Sequence, residues 1–383
     1  MFNTSYIEIS KKAYKNNIRY LKKIIGKDVI FSSVVKGNAY GHGVENVVPL
    51  AEEAGINHFS VFSAREANDT LQVMSPQSQI MIMGLLDDAE IEWAIENNIE
   101  FFVFDMNRLE KALETARILN KKAIIHIEVE TGFHRTGFEY DQAGELVEIL
   151  KNNREHYIFQ GLCTHYAGAE SLSNYLRIKN QVTLYRKFLR YFTRHELVPV
   201  LKHTACSAAA LTYPNTIMDM VRFGIAQYGF WPSPETHMFR FRKDTKETNP
   251  LKRMLSWKTK VMVVKDVEKG NFIGYGSSFL ANKKMKLAIV PVGYANGFSR
   301  ALSNTGRVLI RGRRVPVIGT VTMNTMTVNV TDIPNVERGD EVVIIGKQKR
   351  MSISISSFCE MSDQLNYQLL TRLPVDIPRF IVQ

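Results

Sequence analysis

The stretch EFFVFDMNRLEKALETARILNKKAIIHIEV, Glu100 to Val129, decides the fold. It opens on one apolar run, EFFVFD, and closes on another, KAIIHIEV. Between them apolar residues recur at i, i+3, i+4 and i+7, the period of an amphipathic helix. The flanking runs are continuously apolar rather than alternating, which suits parallel strands covered on both faces. Working outward, the same texture recurs. DVIFSSVV near 28–35, HFSVFS at 58–63 and QIMIMG at 79–84 precede it, and YIFQGLCTHY at 157–166, VLKHTACS at 200–207 and MDMVRFG at 218–224 follow. Eight strands with mostly helical connections over about 200 residues predict an α/β fold, a (β/α)8 (TIM) barrel. An open doubly wound sheet is the alternative.

Past the barrel the texture changes. Ser233 to Arg253 is charged, Pro-containing and without clear period, and reads as a linker. WKTKVMVVKDVE, KLAIVPVG, GRVLIRG, RRVPVIGTVTMNTMTVNV and DEVVIIG then predict a mainly antiparallel β domain, with one helix-like stretch near 352–364. The expected domains are 11–235 for the barrel and 236–383 for the C-terminal β domain, which residues 4–10 are expected to join.

The chain has 383 residues, 45% hydrophobic and 23% charged, a globular composition long enough for a large core without staples. The net charge of +11 points to anionic ligands rather than nucleic acid, since no dense basic stretch is interleaved with aromatics. Arg311, Arg313 and Arg314 around Gly312 look like a hairpin turn. Cys163, Cys206 and Cys359 lack metal-ligand spacing, so neither a disulfide framework nor a metal site is expected. With no signal peptide and no apolar run long enough to span a bilayer, no membrane association and a cytoplasmic location are expected.

Function in such barrels gathers at the carboxyl ends of the strands. Strand one ends in VVKGNAYGHG, Val34 to Gly43. Desolvation of Lys36 there would lower its pKa and free its amine to condense with a carbonyl compound. Taken alone, Lys36 reads more readily as a rim lysine. Other strand ends add Arg135, His165, Ser207 and Arg222 to the same rim. The amides of Gly224 and Ile225, with the Ser207 hydroxyl, suit a phosphate beyond strands seven and eight. By itself this reading stops at a lysine-centred, phosphate-binding barrel.

VVKGNAYGHG resembles the cofactor-lysine motif of the alanine racemases. The likeness continues in order through TGFHRTG, HTACSAA, VRFGIAQYG, GYGSSF, PVGYANGFSR, GTVTMNTMTVNV and NYQLLTRLPVDIPR, nearly the whole chain. The resemblance implies pyridoxal 5'-phosphate as cofactor and a two-base racemisation of alanine that supplies peptidoglycan. Lys36 would serve the α-proton of the D-isomer and Tyr275 that of the L-isomer. Tyr40, His165, Ser207, Arg222, Gly224, Ile225 and Tyr367 would hold the cofactor along with Lys36. Arg135, Tyr294 and Met323 would meet the substrate. It also implies a homodimer in which Tyr275, Tyr294 and Met323 act at the partner's site, and a His165–Arg222 network that stabilises the tyrosinate.

This chain departs from the pattern in places. Thr322-Met323-Asn324 replaces a usual Cys-Met-Asp, which brings alanine specificity into question. Glu128 stands where many members carry a modified lysine, and its carboxylate is expected to hold Arg135. Cys206 replaces a usual Asn and is expected to be buried and inert. Gly37 replaces a usual alanine. The competing readings are a serine or broader-spectrum racemase of the same fold and a non-catalytic pyridoxal-phosphate carrier. The retained β domain with Tyr275 argues against the carrier.

Overall fold

The structure, a computed structural model, describes residues 3–241, 249–355 and 366–383. By its internal contacts the chain divides into two units: Ala13–Lys36 with Val47–Arg253, and Met1–Lys12 with Gly37–Asn46 and Met254–Gln383.

The second unit takes in the first strand, β1 (Ser5–Ser10). The first unit is the barrel: β2 (Ile30–Val34), β3 (His58–Val61), β4 (Gln79–Ile82), β5 (Glu100–Val103), β6 (Ala123–Glu128), β7 (Tyr157–Cys163), β8 (Leu201–His203) and β9 (Met220–Phe223). All pairings are parallel, in the order β8-β7-β6-β5-β4-β3-β2-β9. A single bridge, Cys206 to Arg222, draws the two end strands together, so the barrel is nearly closed. The expected (β/α)8 class is therefore borne out. Continuous burial follows from the position of the strands, with helices outside and side chains filling the inside. The EFFV and HFSV strands are buried at every position.

Register decides which residues face inward. Ser32 pairs with both His58 and Arg222, Phe102 with His126, His126 with Gly161, and Cys163 with His203. One apolar layer consists of Met81, Phe102, Cys163 and Met220. Among it lie buried polar groups: Ser32, His58, Ser60, Glu100, His126, His203 and Arg222.

The expected linker is corrected at its start. Ser233 to Phe241 is ordered as a cap and helix, with the Ser233 hydroxyl accepting from the Thr236 amide at 3.0 Å and the helix running Pro234–Phe241. Charge and proline masked a short helix that begins with proline, a favoured first residue. Residues 249–253 remain with the barrel unit because Asn17, buried on the helix Lys11–Ile25, binds them. Its amide donates to the Lys252 carbonyl at 2.8 Å and to that of Gln227 at 3.1 Å, and its oxygen accepts from the Lys252 amide at 2.7 Å.

The second unit is a mostly antiparallel sheet. Its other strands are β10 (Leu255–Lys260), β11 (Val263–Val267), β12 (Met285–Val290), β13 (Arg307–Ile310), β14 (Arg313–Ile318), β15 (Met326–Asn329), β16 (Glu341–Gln348), β17 (Met351–Ile353) and β18 (Arg379–Val382). The order is β11-β12-β15-β14-β13-β16-β10-β1-β18, with β17 on β16. β1 alternates buried and half-buried residues, pairing antiparallel with β10 and parallel with β18. Arg311 and Gly312, both at positive φ, form the two-residue turn between β13 and β14, and Arg311 reaches Asp340 at 2.7 Å. The helix-like stretch expected near 352–364 lies largely outside the described residues, as does Cys359. Among the described residues no helix is long and apolar enough to cross a membrane.

Asn17→Ala would leave the Gln227 and Lys252 backbone groups without their side-chain partner in a buried place. We expect the unfolding free energy of the barrel unit to fall by roughly 2–4 kcal/mol. Urea unfolding followed by tryptophan fluorescence checks this.

Candidate functional site

Lys36 lies two residues past the end of β2, and the four residues after it break the usual handedness. Gly37, Asn38, Ala39 and Tyr40 have φ of 62°, 51°, 52° and 52°, a left-handed turn. Glycine adopts this freely and asparagine does so more readily than most residues; for Ala39 and Tyr40 it costs about 1–2 kcal/mol each. Local bonds hold it. The Gly41 amide donates to the Gly37 carbonyl at 2.9 Å, and the Gly43 amide to that of Asn38 at 3.0 Å. The Asn38 side chain caps Val44 at 2.9 Å. Gly41 must lack a side chain, since a Cβ there would lie 1.9 Å from the Leu370 carbonyl oxygen. Arg379 donates to the Gly41 carbonyl at 3.0 Å. The Tyr40 ring lies 6.1 Å from that of Tyr367, both in the second unit.

In the barrel unit the structure brings together Lys36, Arg135, His165 and Arg222. The Lys36 pKa is lowered, first by burial and next by the Arg135 charge, with Glu66 opposing and Arg222 adding. That of His165 is pushed down to about 3, first by burial and then by Arg222, Arg135 and Lys36. Its ring sits 5.6 Å from that of Phe133. This mouth is cationic and holds its amine and imidazole toward their neutral forms.

Ser207, Gly224 and Ile225 also meet, with a difference from the expected cradle. The Gly224 amide donates to Ser207 Oγ at 3.0 Å, and the Ala226 amide does so at 3.4 Å. Gly224 thus orients the serine, whose hydroxyl hydrogen points elsewhere as a donor. Cys206 is half-buried rather than buried, because it caps the helix Ser207–Thr212 at the strand end.

Two expected contacts are corrected. Glu128 is buried, but its carboxylate accepts from the Thr136 hydroxyl at 2.8 Å, and no hydrogen bond joins it to Arg135 among the described residues. The Arg135 guanidinium lies over the Phe133 ring instead, at 4.3 Å. Its loop is organised by a residue the sequence did not single out, Glu130. That carboxylate accepts the amides of Phe133 at 2.7 Å, His134 at 2.8 Å and Arg135 at 3.3 Å, and also that of Gly132. Likewise Arg222 makes no hydrogen bond to His165 among the described residues. It donates to the Thr164 carbonyl at 2.8 Å, the His203 carbonyl at 3.1 Å and His203 Nδ1.

Tyr275, Tyr294 and Met323 converge in the second unit. The Tyr294 amide donates to the Thr322 carbonyl at 3.0 Å and the Ala295 amide to that of Met323 at 2.9 Å. The Thr320 hydroxyl donates to the Tyr275 carbonyl at 3.0 Å. In the single chain these residues are 75%, 44% and 55% exposed, respectively.

Family models for the alanine racemase N-terminal and C-terminal domains match residues 9–232 and 254–381. An alanine racemase from Caldanaerobacter subterraneus is 33% identical over 97% of this chain and 93% of its own length. The alanine racemase of Bacillus anthracis, solved with bound L-Ala-P, superposes with a TM-score of 0.89 at 30% identity, covering 100% of this chain and 96% of that one. That of Bartonella henselae, with covalently bound pyridoxal phosphate, gives 0.83 at 26%, covering 99% and 100%. The residues here fit such a group. Lys36 offers an amine biased toward its neutral form, Ser207 a hydroxyl donor, and Arg135 and Arg222 the charge an anion needs.

Glu130 supplies a prediction. Burial raises its pKa, but the four amide donors, Gly132 first, outweigh that and leave it lowered from 4.5. A depressed carboxyl stabilises the fold above its unfolded pKa and loses that contribution as pH falls through the folded value. Glu130→Gln turns an amide N–H₂ toward backbone donors. It should cost roughly 2 kcal/mol at pH 7, and the difference from wild type should shrink below about pH 4. Urea midpoints across pH check this.

Proposed function

We propose that this chain, which belongs to the alanine racemase family, interconverts L- and D-alanine with pyridoxal 5'-phosphate. The observation that carries the reading is the desolvated Lys36 at the end of the first barrel strand, ringed by Arg135, His165 and Arg222. Held at this mouth, the cofactor would act as an electron sink that acidifies the α-C–H of an amino acid.

The other steps belong to the protein. Ser207, with Gly224 and Ile225 behind it, would take the phosphate, and Tyr40 and Tyr367 would also hold the cofactor. Arg222, permanently protonated, would meet the ring nitrogen and disfavour a proton there, which would weaken the electron sink and limit side reactions. Arg135 and the Met323 amide take the substrate carboxylate, and Tyr294 borders the substrate. Lys36 Nζ removes the α-proton of D-alanine and returns one to the same face. Tyr275 Oη does so on the L face. A lowered lysine pKa suits that work, since it leaves the base unprotonated at a lower pH than an exposed lysine.

Tyr275, Tyr294 and Met323 are exposed in the single chain. We read this as the surface of a homodimer in which they serve the partner's barrel. The enzyme works in the cytoplasm, and its D-alanine goes to peptidoglycan.

The test is loss of ellipticity of L-alanine with added pyridoxal 5'-phosphate. Wild type should bring it to zero, and Lys36→Ala and Tyr275→Phe should each lower the rate at least a thousandfold, roughly the loss of a general base plus its orientation. Mixed and reassociated, the two inactive variants should regain about a quarter of wild-type activity, because half the dimers then hold one intact site. Turnover of serine with none of alanine would move the substrate; no recovery on mixing would remove the shared site.

A further inference from the structure

The barrel interior holds a line of polar side chains that the mechanism above does not use. It starts at Arg222, whose Nη1 donates to His203 Nδ1. His203 Nε2 lies 2.8 Å from His126 Nδ1, and His126 Nε2 lies 2.8 Å from Glu100 Oε2. The same oxygen receives His58 Nε2 at 3.2 Å, and His58 Nδ1 meets the Ser32 hydroxyl at 2.9 Å. Ser60 closes the line on Ser32. Every one of these side chains is buried. The groups bond directly to one another, and no metal-holding cluster exists among the described residues.

The ends of the line fix its direction. Arginine has donors only, so His203 Nδ1 must accept. A neutral His203 then carries its hydrogen on Nε2 and donates to His126 Nδ1. His126 in turn carries its hydrogen on Nε2 and donates to Glu100, which as a carboxylate has acceptors only. Neutrality fits the surroundings. Burial and then the Arg222 charge hold His203 well below the ordinary histidine range. Burial also lowers His126, against the pull of Glu100. For Glu100 burial opposes ionisation, but the bonds from His126 and His58 outweigh it and keep the carboxyl well below its usual range.

Two further observations show that the line is built in. A Cβ at Gly161 would lie 2.1 Å from His126 Nδ1 and 2.9 Å from His203 Nε2, so β7 makes room for their contact with a glycine. Arg222 has no carboxylate in an ion pair among the described residues. Glu128 feels its charge but gives its hydrogen bond to Thr136.

We propose that Glu100 is a positioning residue for the reaction: through His126 and His203 it holds the Arg222 guanidinium in one place and orientation from inside the barrel. The relevance to the reaction rests on the proposed function, in which Arg222 faces the cofactor ring; the relay itself does not.

The test separates the two. Long-range ¹⁵N–¹H spectra of histidine-labelled protein without cofactor report tautomers directly. His126 and His203 should both be neutral with hydrogen on Nε2, and a His203 hydrogen on Nδ1, or an imidazolium, overturns the relay. Glu100→Gln keeps the shape and removes the charge. It should raise the half-saturating pyridoxal 5'-phosphate concentration about tenfold and lower kcat about tenfold with KM for L-alanine unchanged, the size of one weakened charge-assisted hydrogen bond. Unchanged cofactor binding and kcat would overturn the positioning role. Ser60→Ala, beyond Glu100, should change neither, and an equal effect there would also overturn it. A wild type that takes up no cofactor removes the proposed function, while the tautomers still decide the relay. Should Glu100→Gln fail to fold, the wild-type spectrum alone remains a sufficient test.

Discussion

Burying a guanidinium is costly unless its hydrogen bonds are met. Arg222, inside the barrel on β9, imposes that constraint on everything around it. Two of its bonds go to strand-end carbonyls, those of Thr164 and His203, and so depend on the closing of the barrel. The third goes to an imidazole that a second imidazole and a carboxylate keep in an accepting form. A side chain at Gly161 would break that series. The interior is thus a polar line set in a methionine, phenylalanine and cysteine layer, and register determines which strand supplies each member.

The same charge shapes the mouth. Arg222 and Arg135 push Lys36 and His165 toward their neutral forms, and burial does more. The result is an amine biased toward its neutral form within a positively charged rim, suited to an anionic carbonyl cofactor. Left-handed backbone runs through three consecutive non-glycine residues in the turn after Lys36, at Asn38, Ala39 and Tyr40. That turn is fastened by its own bonds, by Arg379 and by close approach to Leu370. The Glu130 carboxylate plays the equivalent part under the Arg135 loop.

The barrel was legible because EFFVFD and KAIIHIEV are apolar throughout and flank a helical period. Lys36, Arg135, Ser207 and Arg222 were legible as polar residues at strand ends. The relay was not. His58, Glu100, His126 and His203 sit within or at the edge of apolar runs, and only register shows that they face one another. Their signal is the polar residue in a strand otherwise buried on both sides. The left-handed turn was hidden because alanine and tyrosine rarely take that backbone, so residue type argues against it. Glu128 misled for a different reason: its position in the chain matched the expected partner of Arg135, but its side chain met Thr136 first.

The central claim is that two bases on opposite faces divide the work, and isotope exchange with Tyr275→Phe in D₂O tests it most directly. The account predicts that D-alanine still exchanges its α-proton for deuterium through Lys36 while no L-alanine forms. Formation of L-alanine at the wild-type rate, or exchange lost together with racemisation, would contradict it.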